Sequence, residues 1–262
     1  MNVLLTGATG SVGSLLRPYL ARKYTTVVLN SRKPIAELRE NEIHRPGDIC
    51  DSNVVDGLLE GVDGIIHLAA LVGPDFTFEE TLGPNFTSVY HLFEAARRKS
   101  LKKVVYASTH HAVGFFERGT PVDHNTAPRP DSWYGVTKAC GEILSSYYAD
   151  TYGFDVMCIR IGYVDHSVPD ERRMHTWSSA RDLAALIDIG LSGSQAGFHM
   201  VYGVSKCPDP LFDNAHAQSL GYTPMDLSTE HLIDPRIADV QPDKANPDHR
   251  FIGGHFAKRL DQ

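Results

Sequence analysis

The stretch that most narrows the fold is Thr6-Gly7-Ala8-Thr9-Gly10-Ser11-Val12-Gly13. It follows the apolar run Val3-Leu4-Leu5 and precedes Leu15, Leu16 and Leu20. An apolar run, a glycine-rich turn and apolar residues at helical spacing read as strand, turn and helix. Glycines spaced G-x-x-G-x-x-G allow a tight turn, close approach of backbone to a pyrophosphate, and close packing of helix on strand. The phosphates then rest at the helix N-terminus, where free N–H groups and the dipole favour negative charge. The cradle consists of Gly7, Thr9, Gly10, Ser11, Val12 and Gly13, and it predicts a dinucleotide cofactor.

The chain beyond it alternates strand and helix. Tyr24 to Asn30 is rich in β-formers and reads as the second strand. At its end a dinucleotide fold reads the adenosine ribose, where a carboxylate binds the 2′-hydroxyl and repels a 2′-phosphate. Here stand Asn30-Ser31-Arg32-Lys33, with no carboxylate and two cations, which favours NADP. Gly47-Asp48-Ile49 follows the expected third strand, and Asp48 could accept a hydrogen bond from the adenine amino group. A short helix is expected from Val54 to Leu59. Gly64 to His67 reads as a buried strand running on into Leu68, Ala69 and Ala70, and small side chains there let backbone pass close to the cofactor. His67, inside that run, reads as a packed strand residue. A long helix is expected within Phe76 to Lys99, from Val89, Leu92, Phe93 and Ala96, with Asn85 near its start. Lys103 to Ser108 is the fifth strand, with Thr109-His110-His111 at its C-terminal end, the sheet edge where open α/β folds bind ligands. Two adjacent histidines with no third ligand do not make a metal site. Phe154 to Ile161 is the sixth strand, after a proline-rich loop from Thr120 to Asp131. The pattern predicts an α/β fold, a doubly wound parallel sheet of Rossmann type.

After Gly162 the alternation breaks, and Arg172 and Arg173 sit in an irregular stretch. Helices are expected at Ser178–Leu191 and Leu211–Leu220, with a strand at Phe198–Tyr202. Residues 1–162 read as a dinucleotide-binding core. Residues 163–262 read as a small C-terminal substrate lobe, interleaved with the last sheet elements in one continuous domain.

Tyr134 and Lys138 are four residues apart, so on a helix they share a face one turn apart. An ammonium so placed is expected to lower a phenol's pKa until the phenol can take a proton near neutral pH. Many helices carry Tyr-x-x-x-Lys by chance; the glycine turn gives this one its meaning.

A net charge of -7 with no basic run argues against nucleic acid as a partner. Cys50, Cys140, Cys158 and Cys207 have neither zinc-ligand spacing nor the look of a disulfide framework. With no signal-type leader and no run of about 20 apolar residues, a cytoplasmic protein without membrane contact is expected.

These motifs together resemble the extended short-chain dehydrogenases/reductases: Thr6-Gly7-x-x-Gly10-x-x-Gly13, Tyr134-x-x-x-Lys138, and Ser108-Thr109-His110-His111-Ala112-Val113-Gly114 where that family carries its catalytic hydroxyl. With Arg129-Pro130, Arg160-Ile161-Gly162, Arg173-Met174, Trp177 and Asp213-Asn214, the chain is most similar to uronate dehydrogenases, over most of its length. The resemblance implies oxidation of C1 of a hexuronic acid, of galacturonate or glucuronate type, to the aldarolactone. It implies Tyr134 as base, Lys138 lowering its pKa and holding the nicotinamide ribose, and Thr109 as the hydroxyl on the reacting oxygen. It implies NAD as cofactor, with Ile161 and Asn85 among the cofactor contacts, and a homo-oligomer, a dimer or larger through the two long helices. Substrate contacts fall to Val72, Ser108, Thr109, His110, His111, Tyr134 and Phe256, and to Arg172 or Arg173, of which the Arg-Met match favours Arg173. The chain departs from the family pattern at Thr109 (usually serine), at His110 (usually asparagine), near Val72 (usually a serine) and at Asn30 (usually acidic). Two further readings are a dehydrogenase of another anionic sugar, such as a sugar phosphate, and a nucleotide-sugar epimerase or dehydratase. About a hundred residues after Gly162 leave little chain to wrap a nucleotide diphosphate.

Overall fold

A computed structural model describes residues 1–193 and 196–257. Seven strands form one parallel sheet: β1 (Asn2–Thr6), β2 (Thr26–Asn30), β3 (Glu42–His44), β4 (Gly64–His67), β5 (Lys103–Thr109), β6 (Asp155–Ile161) and, after a two-stranded pair of β7 (Tyr163–Val164) and β8 (Trp177–Ser178), β9 (Phe198–Gly203). Their order is β3-β2-β1-β4-β5-β6-β9, so the sheet is wound outward in both directions from the β1–β4 junction. Val3, Leu4, Leu5, Ile65, Ile66, Val104 and Val105 are buried, the near-continuous apolar runs of a sheet covered on both faces. On one face, Leu16 and Leu20 of α1 (Ser11–Lys23) and Leu183, Leu186 and Ile187 of α7 (Ala180–Ser192) share a core with Val3, Leu5 and Val105. On the other lie α2 (Ser52–Leu58), α4 (Ser88–Arg98) and α5 (Trp133–Tyr152), where Phe93, Tyr148 and Phe154 pack ring on ring. The register aligns Thr6 with Asn30 and His67, and Thr109 with Ile161, at one C-terminal edge.

Two expected helices differ from their pattern. The one expected within 76–99 is three pieces: α3 (Phe78–Thr81), a π-helical turn from Leu82 to Thr87, and α4. Pro84 has no N–H to give the ladder and crowds the preceding turn, so a wide turn absorbs it. The bulge buries Asn85, whose side chain accepts from Leu71 N at 2.6 Å and donates to Leu71 O at 2.9 Å. The helix expected at Leu211–Leu220 shrinks to α8 (Ala215–Ser219). Phe212 stacks on Tyr202 at 4.3 Å, and the Asn214 side chain bonds both backbone groups of Tyr202, which keeps the preceding residues off a helical path. The stretch expected to be irregular carries α6 (Glu171–Met174), capped by Asp170.

One buried charge pair ties these layers together. Glu142 of α5 accepts from Arg160 of β6 at 2.9 Å through both oxygens, and Arg160 also donates to Tyr202 Oη and Thr126 O. Both partners are buried. Removing one charge of such a pair leaves the other uncompensated, at a cost of about 3–5 kcal/mol. Glu142→Gln should therefore lower unfolding free energy by about 3 kcal/mol or more in urea titrations; a loss under about 1 kcal/mol would show that Arg160 finds other partners.

Candidate active site

The glycine turn is tight because its neighbours leave no room for side chains. Gly7 has φ of 69°, and a Cβ there would lie 2.9 Å from Ala69 N. A Cβ on Gly13 would lie 2.3 Å from Gly7 O. Gly10 caps α1 without a side-chain hydrogen bond, and no acidic residue stands in the first turn. With Thr9, Gly10 and Ser11 exposed and Val12 half-buried, the first-turn N–H groups are open to an anion. This cradle fits a dinucleotide pyrophosphate.

At the end of β2 the Asn30 amide donates to Arg45 O and Gly47 O, both at 3.2 Å, so its N–H donors are committed to the following backbone. Ser31 Oγ donates to Lys33 O at 2.6 Å. Arg32 is exposed at the rim. Asp48 accepts from Cys50 N at 2.9 Å, and that bond, with a smaller contribution from Arg32, holds its carboxyl below the usual range. Ile49 is buried behind it. Leu68, Ala69 and Ala70 follow β4, and Ala69 N donates to Thr6 Oγ1 at 3.2 Å. His67 is buried, within 2.9 Å of Thr6 Oγ1, and pushed down to about 3, chiefly by burial: a packed strand residue.

Thr109 ends β5, and Tyr134 is the second residue of α5. Ser132 caps α5 by accepting from Gly135 N at 3.1 Å, and a Cβ on Gly135 would come within 2.5 Å of His111 O. This close seat brings the Tyr134 phenol into hydrogen-bond contact with Thr109. Burial pushes the phenol up to about 12; the Thr109 bond opposes that rise and the Asp131 charge adds to it. Lys138, one turn on, donates to Ala107 O at 2.7 Å and lies 4.9 Å from the Tyr106 ring centre. Burial pushes it down to about 7, with Cys158 and Glu142 opposing. The pKa lowering expected of this pair is thus absent here, because the ammonium is committed to a carbonyl and burial dominates the phenol.

Around the phenol, the His110 and His111 rings meet at 4.2 Å, tilted by 36°, and His111 stacks on Phe256 at 3.9 Å. His111 Nδ1 is 2.7 Å from Asp131 Oδ2, and His110 Nδ1 is 3.0 Å from Ile161 O. Arg172 is buried beside them; its Nη1 donates to Ile252 O at 3.1 Å, and a Cβ on Gly254 would fall 2.4 Å from its Nε. Among the described residues no carboxylate oxygen lies within 4.0 Å of the Arg172 guanidinium, whereas Arg173 is paired with Asp170 and sits 4.9 Å from the Tyr163 ring centre. Val72 is 59% exposed, at the rim rather than in the buried group. No group of three His, Cys, Asp or Glu side chains among the described residues could hold a metal ion.

Residues 3–165 match the family model described as NAD dependent epimerase/dehydratase family. The chain belongs to that family. It is 38% identical to the uronate dehydrogenase of Pseudomonas putida, over 97% of this chain and 95% of that protein. Its fold matches glucuronic acid dehydrogenase from Chromohalobacter salexigens with a TM-score of 0.92 at 32% identity, covering 98% and 96% of the two chains. It matches a mutant uronate dehydrogenase from Agrobacterium tumefaciens, complexed with NAD, with a TM-score of 0.91 at 30% identity, covering 99% and 97%.

Within this family scaffold, two sequence expectations change. Ser108, a candidate substrate contact, points the other way: adjacent strand residues face opposite sides of the sheet, and its hydroxyl donates to Glu142 at 2.5 Å. The carboxylate-clamp candidate shifts from Arg173 to Arg172, because Asp170 already neutralises Arg173. Sequence reasoning missed Asp131; the Asp-Ser pair ahead of α5 signals a helix cap, but its link to His111 is visible only in space. A separate cavity of about 1320 Å³, lined by Arg118, Glu171, His175, Lys206 and Arg250, includes none of Thr109, Tyr134 and Lys138. Among the described residues no helix is long and apolar enough to cross a membrane.

Gly13→Ala should weaken NAD binding at least about tenfold, since the new methyl must open the turn. Isothermal titration with NAD checks it, and unchanged affinity would mean that the cradle is not the phosphate site.

Proposed function

We propose that this protein oxidises C1 of a hexuronic acid, of galacturonate or glucuronate type, to the aldarolactone. The observation that carries the reading is Arg172: a buried guanidinium, with no carboxylate in ion-pair distance among the described residues, close enough to charge the surroundings of His110 and His111, the second of which lies edge-on to the Tyr134 ring. A buried cation without an anion is costly, and burial already holds Arg172 below its usual pKa. A sugar carboxylate would supply that charge, and a guanidinium fork accepts it through two parallel bonds. The uronate dehydrogenases to which the chain is similar support the same substrate class.

Each residue then has a chemical task. Thr109 holds the reacting oxygen by its hydroxyl. Tyr134 acts as base in its deprotonated minority form, since burial keeps most of the phenol protonated; that phenolate takes the proton from the anomeric hydroxyl, so that C1 can give up its hydrogen as hydride. Stacked His111 and Phe256 wall the sugar side and exclude water. Gly7, Gly10, Ser11, Val12 and Gly13 would hold the pyrophosphate of a nicotinamide dinucleotide, and Lys138 its ribose. When bound, that cofactor accepts the hydride at its nicotinamide ring. The exposed apolar side chains of α4 and α5, including Tyr90, Ile143 and Tyr147, fit a homodimer built across these two helices.

Galacturonate, glucuronate and glucose 6-phosphate, each offered with NAD and with NADP, test the reading by absorbance of the reduced nicotinamide. Turnover of a uronate is expected, and none with either uronate would sink it. In the active protein, Arg172→Met should raise KM for the uronate about 10- to 100-fold, as loss of a charged hydrogen bond predicts, while Arg173→Met changes it less than about threefold. The reverse ranking would return the clamp to Arg173.

Exposed Arg32, with Lys33 and no carboxylate at the end of β2, suits a 2′-phosphate, so NADP should be accepted as well as NAD. Arg32→Ala should raise KM for NADP about tenfold or more and leave KM for NAD within about twofold. Equal effects on both would make Arg32 an ordinary loop cation.

A further inference from the structure

His110 and His111 are consecutive imidazoles at the C-terminal end of β5, and each has its Nδ1 against a buried oxygen. The two oxygens differ in kind but agree in consequence. Ile161 O is a backbone carbonyl, which can only accept, so the 3.0 Å contact with His110 Nδ1 requires a proton on that nitrogen. Asp131 Oδ2 lies 2.7 Å from His111 Nδ1 and, as a carboxylate, also only accepts.

A neutral imidazole carries one ring proton. If both Nδ1 atoms hold it, both Nε2 atoms are bare acceptors. His110 Nε2 is buried and has no hydrogen-bond partner, a cost that a bound hydroxyl would relieve. Both rings stay neutral near neutral pH: burial first, then the charges of His111 and Arg172, holds His110 well below its ordinary value. Burial, then Arg172, His255 and Arg173, does the same for His111. Asp131 is raised to about 6, chiefly by burial, and is a carboxylate above that.

Asp131 is itself held firmly. Ser132 Oγ donates to its Oδ1 at 2.9 Å, and the missing side chains of Gly114 and Gly253 make its niche: a Cβ on either would lie 1.8 Å from Oδ2. Such a niche fixes one carboxylate oxygen against one imidazole nitrogen. Ser132 is also the cap of α5, so the same carboxylate touches both the imidazole and the start of the helix that carries Tyr134.

We propose that Asp131 is a positioning residue which, with Ile161 O, locks His111 and His110 as Nδ1–H tautomers, so that the site presents two adjacent Nε2 acceptors that select a sugar bearing hydroxyl donors. The identification of the ligand as a hydroxylated sugar rests on the function proposed above; the tautomer lock does not. An acceptor pair of this kind favours hydroxyls over ether, deoxy or carbonyl groups at the positions it meets. It works alongside Arg172, which takes the anion while the imidazoles take O–H protons.

Long-range proton–nitrogen NMR of the histidine-labelled full chain at pH 7.5 reads the tautomers directly. Both His110 and His111, assigned by single His→Gln substitutions, should show Nδ1–H with bare Nε2. An Nε2–H tautomer or an imidazolium at either residue overturns the proposal. In Asp131→Asn, His111 should lose its fixed tautomer while His110 keeps its own, and KM for galacturonate should rise about tenfold with KM for NAD within about twofold. A purely structural role would instead lower the melting temperature and leave the His111 signals as in the parent. Asp131→Glu serves if Asp131→Asn does not fold: the longer carboxylate should restore the Nδ1–H signal, and its failure to do so in a folded protein counts against the lock. If the tautomers are as stated but no uronate turns over, the proposed substrate fails and the lock stands. If uronates turn over with other tautomers, the reverse holds.

Discussion

The placement of α5 depends on the charge pair between Glu142 and Arg160. Tyr134, Lys138 and Glu142 are spaced four residues apart, so they form one stripe along the helix, about 12 Å from first to last at 1.5 Å per residue. The far end of the stripe is anchored by two-point bonding to β6 and by Ser108 of β5. The near end delivers the phenol to Thr109, the very next residue of β5. Alternation along that strand divides the contacts: Ser108 faces the anchor and Thr109 faces the Tyr134 phenol. Such an anchor is weak as a source of net stability, because desolvation offsets much of the attraction. Its value is directional, since only one placement of the helix satisfies Glu142, Arg160, Tyr202 and Thr126 together.

The parts of the fold legible in the sequence were those with strong local causes. The glycine turn announces itself because its conformation and its crowding by Ala69 and Gly7 O exclude side chains. The central strands are legible because a sheet covered on both faces demands apolar runs. The π-helical turn at 82–87 was hidden because a single proline within an apolar period does not say how the chain will absorb it. The shortened α8 was hidden for another reason: the bonds that replace helix there run from Asn214 to Tyr202, twelve residues away in sequence.

The site divides along the same line. Tyr134, Lys138, Thr109 and the glycines lie in short motifs that a sequence displays. The choice between Arg172 and Arg173 does not, because it turns on which guanidinium Asp170 reaches. Nor does the direction of Ser108, which follows from strand phase, or the partnership of Asp131 and His111, twenty residues apart. Local pattern singles out the candidate groups, and only the spatial arrangement shows which charges are already matched.

That matching explains the electrostatic state of the site. Lys138 and Arg172 are both buried, and burial lowers the pKa of both. Asp131 is a buried carboxylate whose charge acts on the Tyr134 phenol, and its hydrogen-bond contact is with an imidazole rather than with either cation. The phenol, too, is held in its protonated form by burial. Every one of these departures has burial as its largest cause, so each would be eased by an opposite charge entering the same small volume. On the function proposed above, an anionic sugar would do so at Arg172. On that reading the pocket would favour an acidic sugar over a neutral one of the same shape, because only the former brings a negative charge to the buried Arg172 guanidinium.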